Sequence, residues 1–388
     1  MKKLGVIILV SILALVVVFG LVVVQPTALF SAGANKETIK IGWIGPLSGG
    51  ESSIGIPNMQ GVKLAVKEIN ATGGINGKNV EVVFEDEQSS GSKEAITAFH
   101  KLSSIDQTKS IFIVKYSNFL DLVPLAENNN RIIISNLDTS EELAGISENA
   151  FAVGIYDDGI GHTLAEFAVN KLEAKKAAII SKNDEAFMEF VKKGFINKFA
   201  ELGGELVSIE SYSGYPSDFR SILQKTKEKE PEVIALVGFE EIGFVLKQAK
   251  ELGINATFVG IDTSTSETFL RNAGNSAEGL YFSFWEPNDS EISTNFFKNF
   301  KKEFGKNPEQ ILFAATGYDA MNLLAEAMKN CADLQDVNCI KIELKKIENL
   351  KGLSGTLTMS QDNIVRSVAE KMYQMKSDGN YTEALDIQ

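Results

Sequence analysis

Along the chain, short apolar runs alternate with longer stretches whose apolar residues recur every three or four positions. The first such unit runs from Ile39 to Asp86. Ile39, Ile41 and Trp43 alternate as a strand does, and the chain then breaks at Gly45-Pro46 and Gly49-Gly50. Val62, Ala65, Val66 and Ile69 stand at i, i+3, i+4 and i+7, one apolar face of a helix, and Asn70-Ala71-Thr72-Gly73-Gly74 ends it. Val80, Val82 and Phe84 then restart a strand. The unit reads as βαβ with a glycine-rich turn at a strand's carboxyl end. Ligands of open parallel sheets bind beyond those ends, so the loop from Pro46 to Asn58 is a candidate pocket wall.

The alternation continues with a helix near Lys93 to Leu102 and strands at Ile111 to Val114, Ile132 to Ser135 and Ala150 to Val153. A helix from Ile160 to Leu172 opens a second set, with strands at Ala177 to Ile180, Leu206 to Glu210, Val233 to Val237, Thr257 to Gly260 and Gly279 to Phe284. Helices are expected at Ser293 to Phe304 and Ile311 to Ala332. Strands that alternate with helices predict parallel sheets covered on both faces. The chain has 388 residues, a length suited to two domains of ordinary size. Since no Pro/Gly/Ser-rich tether separates the two sets, short hinge strands are the expected joint.

The amino terminus changes this picture. Lys2 and Lys3 precede Leu4 to Val24, 21 residues without a charge. A secretory apolar region is usually about 7 to 15 residues and a membrane-spanning helix about 20. Residues 1–34 therefore read either as an uncleaved membrane anchor or as a signal peptide cut at the A-x-A-like Ala32-Gly33-Ala34. Both readings leave Lys2 and Lys3 inside and the remainder extracytoplasmic, in a periplasm or on the outer face of the cell membrane. Cys331 and Cys339 are the only cysteines, and in an exported chain a local disulfide and two free thiols are both open.

A net charge of −13 argues against nucleic acid, whose phosphates demand a basic face. Catalysis finds little material. His100 and His162 are the only histidines, too few for a metal cluster or a Ser-His-Asp arrangement. His100 adjoins the apolar helix face of Ala95, Ile96 and Phe99, and His162 falls on an exposed-looking helix start. Gly73 to Lys78 lacks the spacing of a phosphate loop. Neither an enzyme nor a cofactor or metal is expected.

Five pieces, in order, carry a family resemblance: Pro46-Leu47-Ser48-Gly49 with Gly55 and Gly61, Ile69-Asn70 with Gly73 to Gly77, Lys247-Gln248-Ala249 with Phe258-Val259-Gly260, Ala277-Glu278-Gly279, and Tyr318-Asp319-Ala320. The chain after residue 38 resembles the Leu/Ile/Val-binding family of ABC-transporter solute-binding proteins. That resemblance implies a type I periplasmic-binding fold, α/β, with two doubly wound parallel-sheet lobes joined by a hinge of three crossovers near residues 155, 286 and 366. Lobe 1 would comprise 35–155 and 286–366, and lobe 2 would comprise 156–285 and 367–388. A small polar ligand, foremost a branched-chain or other neutral amino acid, would be held between the lobes and delivered to an ABC permease through hinge closure. The same fold also serves sensory subunits that report a solute to a membrane signalling partner.

By the same resemblance, Ser117 matches the serine that holds a ligand carboxylate, Thr139 a threonine near it, and Asp262 the acid that pairs with a ligand ammonium. Leu137, Phe187, Phe239, Ile54 and Trp285 would line the cleft. Each polar residue also has a plainer reading: Ser117 is a common turn residue, while Thr139 with Glu142 and Ser264 with Glu267 have capping-box spacing. Three departures bear on the ligand. Ile54 stands where relatives place an aromatic residue, Phe187 replaces a tyrosine, and Asn136 and Asp138 replace a proline and a small residue. A pocket-facing Asp138 would repel a ligand carboxylate, so either it points to solvent or the ligand is not a plain α-amino acid.

Overall fold

A strand that is apolar on both faces needs a layer on each side. In the computed structural model, which describes residues 37–88, 92–287, 290–366 and 370–384, the early strands meet that demand. They are β1 (Thr38–Gly45), β2 (Asn79–Asp86), β3 (Ser110–Ile113), β4 (Ile132–Ser135), the two-residue β5 (Asp138–Thr139) and β6 (Ala150–Ala152). Five of them form one parallel sheet in the order β2-β1-β3-β4-β6. Ile41, Trp43, Phe112 and Ile134 project to one face, and Ile44, Ile111, Ile113 and Ile133 to the other. Helix α1 (Ser52–Ala71) covers the first face with Val62 and Ala65. Helices α2 (Ser92–His100) and α3 (Tyr116–Asn128) cover the second with Phe99, Phe119 and Leu122.

Strand β7 (Ile155–Tyr156) pairs with β5 and leads into α4 (Asp157–Asn170). The strands that follow are β8 (Lys176–Lys182), β9 (Glu205–Tyr212), β10 (Val233–Val237), β11 (Thr257–Gly260) and β12 (Tyr281–Trp285). After the small hairpin β13 (Leu350–Lys351) and β14 (Thr356–Leu357), the chain ends in β15 (Glu370–Met375) and β16 (Tyr381–Glu383). The second sheet runs β16-β15-β12-β11-β10-β8-β9. Its core is parallel as expected, while β15 runs antiparallel to β12 and β16 antiparallel to β15. The tight turn between β15 and β16 permits only an antiparallel pair there. Helix α4 and α5 (Ala186–Glu201) cover one face, and α6 (Arg220–Lys227), α7 (Ile242–Glu251) and α8 (Glu267–Ala273) the other.

Helices α9 (Glu291–Phe304) and α10 (Ile311–Lys329) return to the first sheet, where Phe296, Phe300 and Ala314 pack with Leu64 of α1. Their approach is close enough that a Cβ on Gly61 would lie 1.9 Å from the Ala314 carbonyl oxygen. The expected end of α10 at Ala332 is corrected to Lys329. Cys331 follows it and forms a disulfide with Cys339 of α11 (Val337–Leu344).

Two further expectations change. The helix after β1 begins at Ser52, so the glycine-rich loop is 46–51 and not 46–58. Asp86 holds it, accepting the backbone N–H groups of Leu47 at 2.9 Å and Ser48 at 3.3 Å and the Ser48 hydroxyl at 2.6 Å. Helix α2 gives way at Lys101 to a wider π turn instead of continuing regularly to Leu102. His162 is half-buried against the Tyr156 ring, centroids 5.9 Å apart. The run Leu4 to Val24 and the Ala32-Gly33-Ala34 site lie outside the described residues. Among the described residues no helix is long and apolar enough to cross a membrane.

Candidate functional site

The carboxyl ends of β3 and β4 look toward the first helices of the second sheet. Tyr116, opening α3, meets Phe190 of α5 with ring centroids 5.0 Å apart. Glu142, beyond β5, pairs with Lys193 of α5, and the Glu141 N–H donates to Asp158 of α4 at 3.0 Å. Arg366, at the chain's last passage, donates to both Glu141 oxygens at 2.6 and 2.8 Å and pairs with Asp362. Bidentate guanidinium contacts of this kind fix orientation as well as charge. On the second sheet, Thr263 ties the end of β11 to that of β10 by donating to the Gly238 carbonyl at 2.7 Å.

Against this frame, the eight expected site residues have distinct settings. Ser117 is exposed in the first turn of α3, where backbone N–H groups lack helical partners. Thr139 is fully buried in β5, its Oγ1 without a partner. The capping-box reading of Thr139 and Glu142 does not hold, because the short turn Glu141–Leu143 starts after Ser140 and no side chain caps it. The second box is also displaced: Ser266, not Ser264, caps α8, accepting the Phe269 N–H at 3.1 Å. Ser264 is left fully buried with an unpartnered hydroxyl. Ile54 and Leu137 pack into the first core cluster. Phe187 and Phe239 lie half-buried against α4 and α5, with Tyr215 stacked on Phe239 at 6.4 Å. Trp285 is buried with Leu64 and Phe296, and its Nε1 has no acceptor.

Four acids converge on the joint. Asp262 follows β11, and burial pushes its carboxyl up to about 6 against the Thr263 N–H, which pulls the other way. Glu370 opens β15 opposite Trp285, and burial together with the nearby Asp262 raises it to about 8. Burial raises Asp138 to about 7. Asp157 is fully buried with neither carboxyl oxygen partnered, and burial, then Asp138, Asp158 and Glu370, hold its carboxyl far above the ordinary range. Asp138 is half-buried in β5 and lies near Asp157. A ligand carboxylate about 4 Å from an ionised Asp138 would meet a repulsion of about 4 kcal/mol at an effective dielectric of 20.

Other conspicuous residues are structural. Asn136 is fully buried and donates to Asn58 Oδ1 at 2.8 Å, while Trp43 Nε1 donates to the same oxygen at 3.0 Å. Asn58 returns a bond to the Asn136 carbonyl at 3.0 Å. In the Tyr318-Asp319-Ala320 motif, Asp319 accepts the N–H groups of Leu353 at 2.8 Å and Ser354 at 2.7 Å, which anchors the β13–β14 hairpin. The sequence reading missed Asp157 and Glu370. Asp157-Asp158 at a strand-to-helix junction offered a signal for the first; nothing near Glu370 offered one for the second.

A family model described as periplasmic binding protein matches residues 38–381. The chain belongs to that family. Among curated proteins, this binding protein is 22% identical over 365 residues to the Leu/Ile/Val-binding protein of Escherichia coli (strain K12), covering 92% of this chain and 95% of the relative. Among solved structures it is similar to the branched-chain amino acid transporter substrate binding protein LivJ of Streptococcus pneumoniae, solved with isoleucine. The identity is 27%, the TM-score 0.69, and coverage 89% and 98%. An ABC transporter substrate-binding protein of Sphaerobacter thermophilus superposes with a TM-score of 0.75 at 21% identity, covering 90% and 97%. The fold is the type I periplasmic binding fold, α/β with parallel sheets.

Proposed function

We propose that this binding protein is the extracytoplasmic receptor of an ABC importer, holding a small polar solute with an ammonium group between two lobes and presenting it to a membrane permease. Lobe 1 is taken as 35–155 with 286–366, lobe 2 as 156–285 with 367–388, and residues 1–34 as the export or anchoring segment. The observation that carries the reading is Asp262, a carboxylate at the carboxyl end of a central parallel strand, half-buried and, among the described residues, paired with no Lys, Arg or His. A ligand ammonium there would gain a charge-assisted hydrogen bond of about 1.5–3 kcal/mol. Ser117 and Thr139 contribute the facing polar groups. Neutral amino acids are the reference class, because the relatives' names carry them. A sensory role with a membrane signalling partner would use the same site.

The test is a thermal-shift panel of amino acids, amides and amines, followed by small-angle scattering with the strongest hit. Binding to the native state alone raises the melting temperature. The reading expects a shift from at least one amine-bearing solute and a smaller radius of gyration when it is bound. No shift across the panel would overturn it.

A further inference from the structure

We propose that the site is built for an organic cation with two positive groups, one held at Asp262 and Glu370 and the other at Asp138 and Asp157. This rests on the receptor reading above and names its ligand class. The four acids lie in a row across the joint between the two sheets. β11, β12 and β15 are neighbours in the second sheet, so Asp262, Trp285 and Glu370 share one edge of it. Asp138 pairs with Ile155 in the β5–β7 ladder, and Asp157 follows that ladder by one residue. Asp157 feels the charge of Asp138 and Glu370, and Glu370 that of Asp262, so the row is electrically continuous.

The cations of this region are already engaged elsewhere: Lys193 on Glu142, Arg366 on Glu141 and Asp362, Lys115 on Glu51. Among the described residues no Lys, Arg or His pairs with any of the four acids. Asp158 differs, since it accepts the Glu141 N–H and has His162 near it. A second observation points to a missing partner. Asp157 is fully buried with both oxygens unpartnered, and the Glu370 Oε2 and the Thr139 hydroxyl are also buried without hydrogen bonds. The large majority of buried side-chain polar atoms in native proteins are hydrogen-bonded. A metal ion is not the answer, because among the described residues no three His, Cys, Asp or Glu side chains are grouped to hold one.

The raised carboxyls supply the chemistry of binding. With the site empty, carboxyl groups of the row are held protonated near neutral pH by burial and by one another. An ammonium that enters stabilises the carboxylate, and the displaced proton leaves to solvent. A neutral amino acid would bring its own carboxylate to the same acids and lose that gain.

Calorimetry on the full chain at pH 7 tests this, with 1,4-diaminobutane, L-lysine and L-leucine as probes in phosphate and in Tris. The expected result is binding of diaminobutane or lysine at least tenfold tighter than leucine, with apparent enthalpies that differ between buffers because protons are released. Asp157→Asn, and independently Asp138→Asn should the first misfold, should weaken cation binding at least tenfold without lowering the melting temperature of the empty protein. Tighter binding of leucine with no proton release would overturn the cation assignment and keep the receptor reading. Cation binding untouched by both variants would make the row structural and also overturn it. No binding by any probe or by the wider panel would overturn both.

Discussion

Asn136 stands where the family resemblance expects proline, and its neighbours explain the exchange. Its side-chain amide N–H and the Trp43 indole N–H both donate to Asn58 Oδ1, and the Asn58 amide donates to the Asn136 backbone carbonyl, so one buried set of bonds joins the three residues. Asn136→Ala would leave part of this set unpaired at a cost of about 1–3 kcal/mol. Urea denaturation checks it: the midpoint should fall with an unchanged slope, and an unshifted midpoint would show the amide pair to be dispensable. Asp138, two residues on, separates two ligand classes, since it disfavours a ligand carboxylate and favours an ammonium. Its identity was plain in the sequence. Its half-buried setting was not, because that depends on β5 pairing with β7, a two-residue ladder too short for any periodic signal.

At the scale of elements, the strands and most helices were readable because both sheets are buried on two faces and their strands are continuous apolar runs. Ile132-Ile133-Ile134 is such a run, split between the two core clusters residue by residue. The antiparallel β15 and β16 were not readable, since half-buried edge strands such as Glu370–Met375 mix polar and apolar residues without a clean period. The passages between the sheets, where Asp157 and Glu370 lie, carry the least periodic signal and the most unusual chemistry. They also set the pH response. An acid whose carboxyl is raised in the folded state stabilises below its ordinary pKa near 4 and loses that contribution as pH rises through its folded value. Asp262 at about 6, Asp138 at about 7 and Glu370 at about 8 therefore weaken the empty protein as pH rises from about 4 to about 8. Asp362, lowered to about 2 first by Arg366, acts oppositely, and its contribution is lost only as pH falls below about 4. The melting temperature of the empty protein should peak at mildly acidic pH and decline toward pH 9, and Glu370→Gln should flatten the decline. A temperature that rises from pH 6 to 9 would contradict this.

The whole molecule is a periplasmic binding protein with two α/β sheets and, between them, acids that pair with no Lys, Arg or His among the described residues. The family was visible in five short motifs, of which Asp319 and Gly61 prove to hold the scaffold together. The ligand was less visible, because it depends on how residues 120 positions or more apart, such as Asp138 and Asp262, are brought to one joint. The most direct measurement is a calorimetric titration of wild type and Asp262→Ala with the solute that gives the largest thermal shift. The account predicts that the variant melts no lower than wild type without solute and binds it at least about tenfold more weakly, the loss of one charge-assisted bond of about 1.5–3 kcal/mol. An unchanged affinity would contradict it.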